Sequence, residues 1–85
     1  MGRPEGKEAT MYSIVEAGGM HGSGEIVRAL KRGTDIRRLL KVAKLMTHQY
    51  QTGMAQYGGS TGYYKVVEGV GPWLGHEVDL LPSIE

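Results

Sequence analysis

Cysteine is absent from the 85-residue sequence, and so are phenylalanine and asparagine. Without cysteine, neither a disulfide nor a thiolate metal site can brace the fold. No apolar run approaches the roughly 20 residues of a membrane-spanning helix. The opening stretch, MGRPEGKEAT, lacks the apolar centre of a secretory signal. These absences lead to the expectation of a cytoplasmic protein, of a cell or of a virus-infected cell, with no membrane contact.

A chain of this length buries only about 60–65% of the surface that its unfolded form exposes. With disulfides and thiolate metal sites excluded, self-association or docking on a larger partner is the remaining way to supplement a small core. The sequence is expected to form a homo-oligomer or a component of an assembly. Its 14 glycines do not signal disorder, because they cluster between segments with clear apolar patterns. They act as punctuation.

Residues 1–10, made of Gly, Pro and charged groups, are expected to form a flexible N-terminal arm. Residues 11–85 are read as a single small α+β domain of order β-α-α-β-β, with a helical corner and a C-terminal antiparallel hairpin. MYSIVEA (11–17) reads as a strand with Tyr12 and Ile14 on one side and Met11, Ser13 and Val15 on the other. Ser23 is placed to cap a helix over about 24–32, with Ile26, Ala29 and Leu30 as its apolar stripe. Gly33 stops it, and Thr34 caps a second helix that runs to about Gln51. In that helix Ile36, Leu39, Leu40, Ala43, Met46 and Tyr50 form the apolar stripe. YYKVVE (63–68) and HEVDLL (76–81) read as two strands joined through the GVGPWLG loop, with Trp73 assigned to the core.

The stretch GGMHGSGEI holds two glycines, Gly19 and Gly24, at the spacing of a phosphate-binding loop. That loop needs a lysine where Glu25 stands and a hydroxyl where Ile26 stands. The negative charge would oppose a phosphate, so the stretch is read as a tight strand-to-helix connection. Histidines 21, 48 and 76 lack the spacing of a helical metal site, and Ser23 lacks a nucleophile motif. No catalytic residue, metal or cofactor is therefore nominated, and the protein is expected not to be an enzyme.

Charge is the most informative feature. Arg28, Lys31, Arg32, Arg37, Arg38, Lys41 and Lys44 lie between positions 28 and 48 with one acid, Asp35. His48 closes the same stretch. Glu68, Glu77, Asp79 and Glu85 dominate the last 20 residues, which hold no base. Such polarity suits an anionic partner or pairing between unlike halves. Arg37, Lys41, Lys44 and His48 recur at helical spacing and share one face, with Arg38 beside them.

Ala29, Gly33, Leu39 and Val42 stand at the spacing of a helix-turn-helix, and the element order resembles a winged-helix domain without its first helix. Arg28 and Arg32 occupy positions usually buried in that motif, and Thr34 one that is commonly apolar. The resemblance implies that the second helix enters a DNA groove.

Two readings follow. The leading one is a non-enzymatic module that binds nucleic acid through Arg28, Lys31, Arg32, Arg37, Arg38, Lys41, Lys44 and His48. The alternative is a structural or adaptor protein, such as a small component of a viral particle or regulatory complex. Its basic helix and acidic C-terminal stretch would then join subunits or a larger protein.

Overall fold

The computed structural model describes residues 10–19, 21–58 and 62–85. In chain order the elements are β1 (Tyr12–Ala17), β2 (Ile26–Val27), β3 (Lys31–Gly33), α1 (Ile36–Ala55), β4 (Tyr63–Glu68), β5 (Trp73–Leu74) and α2 (Gly75–Val78). The α+β class expected from the sequence holds. Of the arm expected over residues 1–10, residues 1–9 lie outside the described residues.

β1 is the centre of a three-stranded antiparallel sheet ordered β3-β1-β4. Since β3 and β4 are both antiparallel to β1, they run parallel to each other, joined by α1. Alternation along β1 divides its side chains as the sequence predicts. Ile14 faces α1, where Leu39, Ala43 and Val66 complete one buried cluster. Val15 and Ala17 face the other way and meet Val67 and Val78. That second face is covered by the short antiparallel pair β2–β5 and by α2, with Val27, Trp73 and Leu81 packed against it. Each fully buried Val or Ile stabilises the fold by about 1.5–3 kcal/mol. The sheet thus joins two small cores.

α1 starts one residue later than the sequence suggests. Asp35, not Thr34, is the cap: its Oδ1 accepts from the Arg38 N–H at 3.2 Å. The helix also continues past Gly53 to Ala55, beyond the expected end near Gln51. Gly53 costs a helix about 1 kcal/mol relative to alanine, and the Gln56 side chain offsets part of this by donating to the Gly53 carbonyl at 3.2 Å.

Two expected elements are replaced. Residues 24–32 do not form a helix, so there is no helical corner. Ile26 and Val27 pair with Leu74 and Trp73, and Lys31–Gly33 pair with β1. Two adjacent β-branched residues favour extended backbone, and a helix of nine residues is marginal without tertiary support. Accordingly, Ser23 caps no helix, and the helix-turn-helix resemblance fails at its first member. The C-terminal hairpin is replaced as well: β4 pairs with β1, β5 pairs with β2, and Gly75–Val78 is one helical turn. Glu77 Oε2 accepts from the Leu74 N–H at 2.9 Å and starts that turn. The turn places Val78 and Leu81 on the same core.

The hydrogen-bond phase of the sheet follows from contacts at its ends. The Gly69 N–H donates to Met11 and the Leu30 N–H to Ile14, both at 2.9 Å. Odd residues of β1 therefore bond to β4, and even residues bond to β3. On β4 the backbone groups of Tyr64 and Val66 point away from β1; on β3 those of Arg32 do.

Both outward groups of Tyr64 and the outward carbonyl of Val66 have partners. The Thr47 hydroxyl accepts from the Tyr64 N–H at 2.8 Å and lies 3.2 Å from the Tyr64 carbonyl, to which it also donates. One turn on, Gln51 Nε2 donates to the Gly62 carbonyl at 3.0 Å. The Ile84 N–H donates to the Val66 carbonyl at 2.8 Å. Helix side chains and the C-terminal tail close this edge.

Candidate functional site

The eight basic residues named from the sequence are all exposed. None of their side chains forms an ion pair with a described residue. The ion-pair contact found among the described residues is His21 Nδ1 to Glu25 Oε2, at 3.8 Å. The reason is visible in the acids. Glu25 accepts from the Gly22 N–H, Asp35 from Arg38, Glu77 from Leu74 and Asp79 from Gly18. Four carboxylates thus serve backbone N–H groups, and the cations face solvent.

The cations divide into three groups, where the sequence suggests one continuous surface. Arg37, Lys41, Lys44 and His48 fall within an arc of about 60° on α1 and extend along about 16 Å of its axis. Lys41, Lys44 and His48 surround Leu45, itself 56% exposed, in a shallow depression of about 340 Å³. Lys31 and Arg38 border a second depression of about 330 Å³, between β3 and the start of α1. Asp35 lies there too, occupied as the helix cap. Arg28 and Arg32 border a third, of about 190 Å³, against Val70 and Pro72. The last two groups lie on opposite faces of the sheet at β3, because Lys31 and Arg32 are neighbours on a strand. Arg32 sits between them and lines both.

A wider depression, about 560 Å³, lies between α1, β4 and the tail. Leu40, Ala43, Val66 and Ile84 make much of its wall, and Lys44 and Glu85 stand at its border. No nucleophile paired with a base lines it. Among the described residues, no group of three or more His, Asp or Glu side chains is disposed to hold a metal ion. No helix among them is long and apolar enough to cross a membrane.

The glycine-rich connection has a structural role. Glu25 turns its carboxylate back onto the loop's own N–H at Gly22, 2.9 Å away. Its carbonyl accepts from the Gly75 N–H at 2.7 Å. A Cβ at Gly75 would come within 2.7 Å of His21 Cβ, so the loop and α2 meet at backbone distance. The His21 Nε2 atom is buried there with no hydrogen-bond partner among the described residues.

Two titrating groups sit back to back on β4. The Tyr64 phenol is pushed above its ordinary value by burial, then by Glu16 and by Tyr50, whose ring meets it edge-on at 5.8 Å. Burial holds the Lys65 amine below its ordinary value, while Asp79 acts the other way. Lys65 Nζ donates to the Leu81 carbonyl at 2.8 Å and so ties the tail of α2 to the sheet.

Sequence reasoning missed Thr47 and Gln51 as edge-closing residues, and it missed the pairing of Arg28 and Arg32 with Val70 and Pro72. The i, i+4 spacing of two polar residues beside the apolar stripe of α1 is the signal that points to the first pair. The second depends on a contact across some 40 positions and leaves no local trace. The chain matches no protein-family model, no curated protein and no solved structure.

Proposed function

We propose that the protein is a non-enzymatic binding module that contacts nucleic acid through the solvent face of α1. One observation carries this reading: Arg37, Lys41, Lys44 and His48 share a face with no carboxylate of a described residue paired to them. Unneutralised cations on a rigid helix suit a phosphate backbone, where binding releases condensed counterions. Arg38 flanks that face; Arg28, Lys31 and Arg32 lie off it and are left out of the contact. A cytoplasmic setting belongs to the same proposal and rests on the sequence reading. Self-association of the basic helix with the acidic C-terminal stretch has less support, because Glu77 and Asp79 already accept backbone hydrogen bonds.

The test is a salt titration of binding to a duplex and to a single-stranded oligonucleotide. The triple variant Arg37→Ala/Lys41→Ala/Lys44→Ala removes up to three phosphate contacts. On duplex DNA it should flatten the slope of log K against log salt by about 2–3. A triple variant that binds both probes as the parent does overturns the proposal.

A further inference from the structure

We infer that β3 accepts an extended, acidic segment of a partner protein as a fourth strand of the sheet. This proposal concerns a different surface from the α1 face and does not rest on the nucleic-acid reading.

Three observations converge on β3. It is an outer strand of the sheet. Its register leaves the N–H and C=O of Arg32 pointing away from β1, and among the described residues no group covers them. This contrasts with β4, where Thr47, Gln51 and Ile84 occupy the outward groups. Most important, a depression flanks the open edge on each face of the sheet, and cations line both.

An added strand presents alternate side chains to the two faces. The residue opposite Arg32 would exchange both backbone hydrogen bonds with it. Its side chain would fall on the side of Arg28 and Arg32, with Val70 and Pro72 as a shelf for its methylenes. A glutamate fits that description. The residues before and after it would fall on the α1 side, beside Lys31 and Arg38. Acids suit those positions too.

Charge on an outer strand ordinarily discourages pairing. Here it discriminates. Lys31 and Arg32 repel a second copy of β3, and an apolar strand would leave them poorly solvated. An acidic strand neutralises them. β3 has only three residues, so the main-chain bonds are few and the four cations supply much of the affinity.

The experiment uses the full chain and the blocked peptide V-T-E-E-E-T-V at 0.15 M salt. Three readouts are compared: peptide affinity, the amide exchange of Arg32 and Tyr64, and affinity for the same peptide N-methylated at its central residue. N-methylation removes one strand hydrogen bond without altering charge. It should weaken binding about five- to tenfold, as the loss of one hydrogen bond does. Arg32 exchange should slow while that of Tyr64 stays constant. Arg28→Glu/Arg32→Glu should weaken the peptide by more than tenfold and leave the helix-face oligonucleotide slope unchanged. Equal binding of the methylated peptide overturns the proposal, because attraction by charge alone then suffices. So does displacement of the peptide by the oligonucleotide, which would make β3 part of a nucleic-acid surface.

Discussion

Thr47, Gln51 and Ile84 shield the outer edge of β4, whereas no described residue shields that of β3, which is flanked by charge. The two strands belong to one small sheet and run in the same direction, so the contrast does not come from topology. It comes from what α1 and the C-terminal tail send to each margin. Towards β4 the helix sends a hydroxyl and an amide, groups that substitute for a neighbouring strand. Towards β3 it sends Arg38, which cannot accept from a backbone N–H. A closed margin supports the fold and an open one is available for recognition. The difference separates residues kept for stability from residues free to bind.

The largest expected effect breaks the closed edge. Thr47→Val keeps the volume and shape of the side chain but leaves both backbone groups of Tyr64 without a partner. Stability measured by urea unfolding should fall by about 2–3 kcal/mol. Light scattering should then show association that grows with concentration, since β4 would resemble an open strand without the repelling charge. Gln51→Ala should show the same trend, at about 1 kcal/mol. A Thr47→Val variant that is as stable and as monodisperse as its parent would remove the basis of the comparison.

A smaller effect tests the buried side of the closed strand. The raised Tyr64 pKa means that folding favours the neutral phenol. Its contribution is therefore complete below the ordinary phenol value of 10.0 and is lost as pH rises through the folded value. Lys65 has the opposite sign: with its pKa lowered, its contribution is present above the ordinary 10.5 and is lost as pH falls through the folded value. The two oppose each other across one alkaline window. Tyr64→Phe removes only the loss, so the variant's stability relative to the parent should climb as pH passes 10. pH-dependent denaturant midpoints would measure it, and a constant difference would argue against a strained phenol.

The smallest effect belongs to the open edge. Arg32→Thr should change stability by less than about 0.5 kcal/mol, because its outward groups and exposed side chain support nothing in the fold. Thermal unfolding would show this, and a large loss would mean that β3 is supported through Arg32 after all.

Much of this arrangement is legible in the sequence where a local pattern decides the outcome. The alternation Tyr12, Ile14 against Ser13, Val15 places β1 between two cores. The stripe from Ile36 to Tyr50 marks α1, and the β-rich run 63–68 marks β4. Reading fails where partners lie far apart. Ile26, Ala29 and Leu30 have helical spacing, yet Ile26 meets Leu74, 48 positions away, and that pairing wins. HEVDLL alternates like a strand, but Val78 and Leu81 are also three apart, and the Glu77 cap selects the helical turn. The cations were all visible as cations. Their division between a helix face and the two sides of β3 is hidden, because residues 24–32 carry helical spacing where the strand lies.

One consequence follows from the way Trp73 packs. Its ring lies over Gly71, which has φ +64° and where a Cβ would come within 2.5 Å of the ring. The indole is the sole tryptophan in the sequence and sits on the core opposite α1. Its emission is therefore an optical probe of the β2–β5 cover, while far-ultraviolet dichroism is dominated by α1. The two signals view opposite faces of one sheet, so the molecule carries its own means of asking whether both faces melt together.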